Sequence, residues 1–302
     1  MIDSFAIVEI GSTNTKGYIY SDNKVYETGF KNIEFKKNYN INKEIIKEDI
    51  ESLYEYINKI KVIESRIFVF GTSIFRELTT TDLEKFKENI EEKLNVSFQV
   101  VTADQENEYT VYGAIKNIKL DENVAVMVGG GGSTEIAICR NGCIIERANT
   151  SIGVVYINEI FPDLALDFAI SKIPDVKKLI DDKLNKPKLK ADILILAGGL
   201  HKFRCDKVKY PVKNNDLYTD EDSPYLMNIN EMIDYDYEFF YNINLDDMRK
   251  YTLDNPKWWD GSRAMCLFAT VISEIIDAKY IIPTNISMVY GIIEKIKTGY
   301  IK

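Results

Sequence analysis

Two short runs of small residues carry the groups in this chain that are best suited to hold an anion. The first run, Gly11-Ser12-Thr13-Asn14, directly follows an apolar stretch near the N-terminus. The second run, Gly130-Gly131-Gly132-Ser133, follows another apolar stretch about half the chain later. Successive N–H groups of a tight turn form an anion-binding concavity, and glycine lets the backbone approach a phosphate closely. The pair therefore predicts two related domains that face one anionic ligand.

Several other kinds of site are excluded by residue counts and motifs. His201 is the only histidine, so there is no multi-histidine metal centre and no His-Glu-x-x-His protease motif. We interpret His201 as a polar side chain that follows the Gly198-Gly199 turn. No Gly-x-x-x-x-Gly-Lys-Ser/Thr loop of a P-loop ATPase occurs. The four cysteines include no Cys-x-x-Cys pair, which favours free thiols in a reducing compartment.

Composition places the chain among two-domain proteins. A length of 302 residues with 45% hydrophobic residues can bury a substantial core. The formal charge of −9 argues against a protein that coats nucleic acid. No apolar run is long enough to cross a bilayer, and the N-terminus lacks the pattern of a secretory signal, so we expect no membrane partner and a cytoplasmic location.

Hydrophobic periodicity predicts the same order of elements twice. Three runs within residues 5–30 predict strands joined by turns, and alternating helices and strands follow. From Val124 the order restarts with a strand, the glycine turn and two more strands. Such a plan is ribonuclease-H-like, so we predict an α/β fold of two ribonuclease-H-like domains, residues 1–121 and 122–302, with an interdomain cleft. The predicted helices are residues 44–59, 83–94, 105–117, 165–184, 258–277 and 286–297.

Further motifs follow the turns in a recognisable order. Gly71-Thr72-Ser73-Ile74-Phe75-Arg76 is similar to an Ala-Thr-Ser-x-x-Arg segment, and Thr102-Ala103-Asp104-Gln105-Glu106-Asn107 is similar to Ser-Gly-x-Glu-Glu-Ala. The second turn is similar to Asp-Ile-Gly-Gly-Gly-Ser-Thr-Glu, and Ser151-Ile152-Gly153 to Pro-Leu-Gly. In this order and spacing the chain resembles the exopolyphosphatase and guanosine-pentaphosphate phosphohydrolase (Ppx/GppA) family, within the actin-like ATPase superfamily.

The resemblance implies a site for phosphoanhydride hydrolysis. Glu106 takes the position of the family's catalytic glutamate, and Arg76 supplies a guanidinium to the anion. Mg²⁺ or Mn²⁺ is the implied cofactor. The implied phosphate-binding residues are Gly11, Ser12, Thr13 and Asn14 on one side and Gly130, Gly131, Gly132 and Ser133 on the other. The implied metal ligands are Glu9 and Glu135. The last helix, within residues 286–302, is expected to pack back on the first domain.

Three positions depart from the family pattern. Glu9 replaces an aspartate and keeps an oxygen ligand for a hard cation. Val128 stands where the family has an acidic residue, and an isopropyl group can neither ligate a metal nor orient a water. Gln105 replaces the first glutamate of the family's Glu-Glu pair. Each of these changes lowers or moves the negative charge available for Mg²⁺.

Three functions remain open from the sequence. The first is metal-assisted hydrolysis of a terminal phosphate of polyphosphate or guanosine pentaphosphate, which makes these two compounds the expected partners. The second is a catalytically impaired family member that binds polyphosphate, a nucleotide or a protein. The third is an actin-like ATP-dependent kinase, which needs an adenosine pocket around Gly198 and Gly199. A homodimer is a further expectation.

Overall fold

The computed structural model describes residues 4–12, 14–116, 118, 121–165, 170–207, 213–214, 225–242, 244–253 and 256–301. Contacts between residues divide the chain into two units. Unit 1 is Met1–Tyr109 with Ile292–Lys302, and unit 2 is Thr110–Gly291. The sequence-based boundary after residue 121 thus lies inside unit 2. The two units are not divided at a single loop, because the helices Ala103–Ile115 and Met288–Lys297 each contribute residues to both units.

The sheet of unit 1 has the strand order β3-β2-β1-β4-β5 among the described residues. Strands β1 to β3 form an antiparallel meander, and β1, β4 and β5 run parallel. The strands are β1 (Ser4–Ile10), β2 (Asn14–Ser21), β3 (Lys24–Asn32), β4 (Ile67–Gly71) and β5 (Ser97–Val100). The carboxyl ends of parallel strands meet at one edge of a sheet, which is where open α/β folds place their ligands.

The sheet of unit 2 repeats this order. Among the described residues the order is β10-β11-β12-β9-β6-β7-β8, in which β6, β7 and β8 form the antiparallel meander and β6, β9 and β12 run parallel. These strands are β6 (Val124–Gly129), β7 (Thr134–Arg140), β8 (Cys143–Thr150), β9 (Ile193–Leu196), β10 (Lys213–Asn214), β11 (Tyr225–Asn228) and β12 (Tyr280–Pro283). The shared order confirms the prediction of an α/β fold that uses the ribonuclease-H-like plan twice.

Six of the twelve helices found among the described residues lie where the apolar periodicity predicts them. The described helices are α1 (Phe35–Asn42), α2 (Lys47–Lys61), α3 (Ser73–Glu77), α4 (Thr80–Leu94), α5 (Ala103–Ile115), α6 (Val154–Ile160), α7 (Ile173–Lys183), α8 (Leu200–Lys207), α9 (Ile229–Tyr241), α10 (Leu245–Arg249), α11 (Ser262–Ile276) and α12 (Met288–Lys297). The predicted helix 165–184 was too long, because α7 begins only at Ile173 after a short 3₁₀ turn. None of the described helices is long and apolar enough to span a membrane.

A buried polar cluster lies within the apolar core of unit 2. Arg204 on α8 forms an ion pair with Asp236 on α9, and Arg204 Nη1 also lies 3.0 Å from the sulfur of Cys266 on α11. His201, one turn before Arg204, is 3% exposed, and neither ring nitrogen has a hydrogen-bond partner among the described residues. The prediction that His201 is a polar side chain after the Gly198-Gly199 turn is thereby refined, because this imidazole is part of the core.

Acid should destabilise unit 2 through His201. Burial is the main cause that lowers the pKa of His201 from 6.5 to about 4, and the charge of Arg204 acts in the same direction. Between these pH values the unfolded chain binds a proton that the folded chain does not, so stability is lost as pH falls through this window. From pH 7 to pH 5 this one group should lower the free energy of unfolding by about 2 kcal/mol.

The measurement compares wild type with His201→Leu at both pH values. The variant should lose less stability on acidification, by the amount given above. Because the chain has one histidine, a single set of imidazole NMR signals reports its titration directly. An imidazole that titrates near 6.5 in the folded protein would refute the expectation.

Candidate active site

The first glycine turn of the sequence joins β1 to β2 at the carboxyl edge of the unit 1 sheet. The N–H of Gly11 donates to the carbonyl of Asn14 at 2.8 Å, which closes the turn. A Cβ at Gly11 would lie 3.0 Å from that carbonyl oxygen, so the close approach favours glycine. The Ser12 carbonyl accepts from the N–H of Lys36 at 3.0 Å. Thr13, also predicted to bind phosphate, lies outside the described residues.

A hydroxyl pair ties this turn to the start of α3. Ser12 Oγ and Ser73 Oγ form a hydrogen bond. Ser73 directly follows Thr72, whose N–H donates to the carbonyl of Ile10 at the end of β1. Ser73 was not predicted as a site residue, although it lies in the motif that contains Arg76. Its place in that motif was the only signal in the sequence. The bond between Ser12 and Ser73 forms because β1 and β4 end at the same edge of the sheet, and the sequence does not show this.

Arg76 and Glu106, the two residues predicted for catalysis, form an ion pair. Arg76 Nη1 lies 2.9 Å from Glu106 Oε2 and also donates to the carbonyl of Val101 at 2.9 Å. The side chains are 27% and 37% exposed, so the pair is accessible to a solute. Both of these bonds start at Nη1, which leaves the Nε and Nη2 donors without a partner among the described residues. A guanidinium in this state can still bind an anion through two N–H groups.

Glu9 lies close enough to Glu106 for the charge of that carboxylate to affect it. Burial is the main cause that raises the pKa of Glu9 from 4.5 to about 7, and Glu106 and Glu27 raise it further, while Lys16 lowers it. Lys16 is the residue directly opposite Glu9 in the β1–β2 ladder. Unit 1 therefore brings Glu9, Glu106, Arg76 and Lys16 together near the Gly11–Asn14 turn. Lys16 was missed in the sequence because its role follows from strand register.

The second glycine turn joins β6 to β7 in unit 2 and is closed in the same way. The N–H of Gly130 donates to the carbonyl of Ser133 at 2.9 Å. The N–H groups of Gly131, Gly132 and Ser133 donate to no backbone carbonyl among the described residues. A Cβ at Gly132 would meet nothing within 4 Å, so the space in front of this residue is open. Free donors beside open space are what an anion cradle requires.

The carbonyls of the same turn are used by α6. Val154 and Val155 donate their N–H groups to the carbonyls of Gly130 and Gly131 at 3.1 and 3.0 Å. Gly153, just before α6, packs so tightly that a Cβ would lie 2.4 Å from the Gly130 carbonyl oxygen. The turn therefore has its acceptors held by protein and its donors exposed, and only glycine fits at position 153.

Glu135 lies directly opposite Val128 in the β6–β7 ladder. Side chains of directly opposed residues point to the same face of a sheet. The Glu135 carboxylate therefore lies on the same face as Val128, which has no carboxylate. Counted from the glycine that closes each turn, Val128 and Glu135 correspond to Glu9 and Lys16 of unit 1. Each hairpin thus carries one carboxylate at this pair of positions. In unit 1 the carboxylate is Glu9 on the first strand of the hairpin, and in unit 2 it is Glu135 on the second strand.

The structure thus gathers the predicted residues in two groups. Unit 1 holds Glu9, Gly11, Ser12, Asn14, Arg76 and Glu106, and unit 2 holds Gly130, Gly131, Gly132, Ser133 and Glu135. No cluster of three or more His, Cys, Asp or Glu side chains able to hold a metal occurs within the described part of the chain. That finding is compatible with Mg²⁺, which is usually held by one or two carboxylates together with substrate phosphates and water.

Comparison of the sequence and the fold with known proteins shows which family this chain belongs to. The sequence profile of the Ppx/GppA phosphatase family matches residues 26–229, about two thirds of the chain. The chain belongs to the Ppx/GppA phosphatase family. The match includes the Arg76 and Glu106 motifs and the second glycine turn, so the resemblance predicted from the motif order is confirmed.

Solved structures of Ppx/GppA proteins share the fold over the whole chain. The Aquifex aeolicus family member superposes with a TM-score of 0.78 at 16% identity, covering 99% of each chain. An exopolyphosphatase from Cytophaga hutchinsonii gives 0.73 at 14% identity, covering 98% of each chain. At such identities the likeness shows the fold, which agrees with the twofold ribonuclease-H-like plan.

One relative matches this chain by sequence over part of the relative's own length. It is a bifunctional 3-dehydroquinate synthase/phosphatase from Fusobacterium nucleatum, 28% identical over 151 residues. The match covers 48% of this chain and 22% of that protein. The match thus spans about a fifth of the length of that relative.

Proposed function

We propose that this protein hydrolyses the terminal phosphoanhydride of inorganic polyphosphate or guanosine pentaphosphate by in-line attack of water. The observation that carries the proposal is the Arg76–Glu106 ion pair beside the Gly11–Asn14 turn. Unit 1 thus contains a base, Glu106, a guanidinium whose Nε and Nη2 groups can donate to an anion, and a turn whose backbone can bind that anion. The name of the family and of its exopolyphosphatase structures supports the choice of substrates.

Glu106 is the base in this proposal. Its carboxylate takes a proton from the attacking water as the oxygen bonds to the terminal phosphorus, and the bond from phosphorus to the bridging oxygen breaks. The shortened phosphate chain leaves with the electron pair of that bond and is protonated by solvent. A base that is already oriented by Arg76 needs little rearrangement to act.

Arg76 and the glycine turns hold the phosphates. The Nε and Nη2 donors of Arg76 suit two oxygens of one phosphate, a fork that lysine cannot reproduce. The N–H of Ser12 and the side chains of Ser12 and Asn14 bind phosphate in unit 1, and the exposed N–H groups of Gly131, Gly132 and Ser133 do so in unit 2. Negative charge that develops in the transition state is thereby offset by donors already in place.

Mg²⁺ belongs to the proposal as the cofactor. Glu9 in unit 1 and Glu135 in unit 2 are the carboxylates proposed as ligands for such ions, and a bound ion would neutralise phosphate charge. Burial raises the pKa of Glu9 to about 7, and a cation bound at this carboxyl would lower the pKa again. Binding of a cation at Glu9 should therefore release protons.

One observation favours a second function. Val128 places an apolar side chain where the resemblance implies a carboxylate, and only Glu135 on the opposite strand supplies a carboxylate to that pair. A protein that kept the anion cradles but lost metal-assisted chemistry would bind polyphosphate or a nucleotide without turnover. This reading needs the same two glycine turns and differs from the first only in catalysis.

Phosphate release separates the two functions. The full chain is incubated with polyphosphate and, separately, guanosine pentaphosphate, each with Mg²⁺, Mn²⁺ or a chelator, and inorganic phosphate is measured. Hydrolysis that depends on the metal supports the enzyme. Saturable binding of either compound with no release above buffer supports the binding protein instead.

Val128→Asp should raise Mg²⁺-dependent turnover at least about tenfold, which corresponds to only ~1.4 kcal/mol of barrier. The new carboxylate would lie opposite Glu135, and two like charges in that position repel each other unless a cation lies between them. We therefore also expect the melting temperature of the variant to fall without Mg²⁺ and to recover with it.

Val128→Asn is the matched control, because it has the size of aspartate without the charge. It should bring neither the gain in turnover nor the metal-dependent recovery of stability. If Val128→Asp stays folded with wild-type turnover, Val128 is not what limits this protein.

A further inference from the structure

The first turn of α5 contains a reciprocal pair of hydrogen bonds. The N–H of Gln105 donates to Thr102 Oγ1 at 3.2 Å, and the N–H of Thr102 donates to Gln105 Oε1 at 3.0 Å. This is a capping box, in which a threonine and a residue three positions later satisfy each other's backbone donors at a helix start. Glu106 is the next residue, and its own N–H donates to the carbonyl of Thr102 at 2.9 Å.

The same segment is held from the other side by Arg76. Its Nη1 bonds to the carbonyl of Val101, directly before the cap, and to the Glu106 carboxylate, directly after it. Backbone and carboxylate are therefore fixed to one guanidinium, with the capping box between these two contacts. Any change in the path of residues 102–105 must move Glu106 relative to Arg76.

We infer that Thr102 and Gln105 are positioning residues, which hold Glu106 in the orientation needed to act as a base. The inference rests on the proposed function. It also accounts for Gln105 in place of a glutamate, because an amide oxygen accepts the bond from the Thr102 N–H as a carboxylate oxygen does. The glutamine performs this role without a second negative charge next to Glu106.

Kinetics of four variants test the inference. Thr102→Ala and Gln105→Ala each remove one bond of the box and should lower kcat by roughly tenfold to a hundredfold, since small displacements of a catalytic group are costly. KM should change by less than about threefold, because neither residue is proposed to touch the phosphates. Thr102→Ser and Gln105→Glu keep an acceptor in place and should restore kcat to within about threefold of wild type.

Thr79 provides a matched control in the same unit. Its hydroxyl caps α4 by accepting the N–H of Asp82 at 3.2 Å, but α4 carries no residue of the site. Loss of a cap commonly costs about 1 kcal/mol of stability, so Thr79→Ala and Thr102→Ala should lower the free energy of unfolding alike. Thr79→Ala should leave kcat unchanged, which separates positioning from stability.

The outcomes distinguish this inference from the proposed function. If wild type releases phosphate and both alanine variants keep kcat within twofold, the inference is wrong and the function stands. A fall in kcat of the same size in Thr79→Ala would also overturn the inference, because the loss would then come from general destabilisation. If wild type releases no phosphate from either substrate, the proposed function fails, and this inference fails with it.

Discussion

Glu106→Gln should lower the rate of phosphate release by a factor of about 10²–10⁴, the usual contribution of a general base. The amide keeps the shape of the side chain but cannot take a proton from water. Arg76 keeps its bond to the carbonyl of Val101, so the guanidinium stays near its present place. Affinity for polyphosphate should therefore change little, and the loss should appear in kcat.

Asp104→Asn is the control for this experiment. Asp104 lies on the same first turn of α5 and is exposed, so the variant removes one negative charge from the same helix end without touching the site. It should retain wild-type kcat. Binding is measured with a non-hydrolysed polyanion by calorimetry. A Glu106→Gln protein that keeps more than a third of wild-type turnover would remove Glu106 from the mechanism.

The motifs of unit 1 that contain the proposed catalytic residues could be located in the sequence because each motif follows a strand end. Gly11, Ser73 and Thr102 come directly or almost directly after β1, β4 and β5, which run parallel and so end at one edge. The sequence shows where each strand ends, and the order of motifs indicated Arg76 and Glu106 as candidates for catalysis. It could not show that Ser73 bonds to Ser12 or that Lys16 opposes Glu9, since both depend on register.

Close backbone packing was also beyond sequence reasoning. Gly153 has φ of −129°, which any residue can adopt, so nothing local demands glycine. The demand comes from the Gly130 and Gly131 carbonyls that α6 holds against it. Conversely, Gly132 meets nothing, so its lack of a side chain matters only for what approaches the turn from outside. In the sequence these glycines look alike, and only their surroundings in the fold distinguish their roles.

Helix α1 was not predicted, for a different reason. Its sequence is rich in asparagine and lysine, and Phe35 is its one buried residue. Short helices of this kind gain most of their stability from packing. The ring of Phe35 lies 5.7 Å from that of Phe75 and 6.2 Å from that of Phe86, edge to face in both cases. A helix that buries one aromatic side chain against residues far away in the sequence shows no helical periodicity of apolar residues.

The buried ion pair of unit 2 should have the largest effect on stability. Asp236→Ala is expected to lower the free energy of unfolding by about 3–5 kcal/mol, because it leaves the Arg204 charge buried without its carboxylate. Arg204 and Asp236 are 0% and 1% exposed, so water cannot replace the lost partner without opening the core. The two tryptophans of the chain, Trp258 and Trp259, both lie in unit 2, and their fluorescence during urea unfolding reports this unit alone.

Two comparisons make the test specific to burial. Asp246→Ala breaks the Asp246–Arg249 pair, whose carboxylate is 73% exposed, and should cost no more than about 1 kcal/mol. The double variant Arg204→Met with Asp236→Leu removes both charges and should recover most of the stability lost by Asp236→Ala, since apolar replacements of a buried pair are often neutral or stabilising. If the double variant is as unstable as the single one, the loss comes from packing around α8 and α9 and not from the broken ion pair. Recovery would mean that the pair contributes little net stability, and that its cost appears only when one partner is removed.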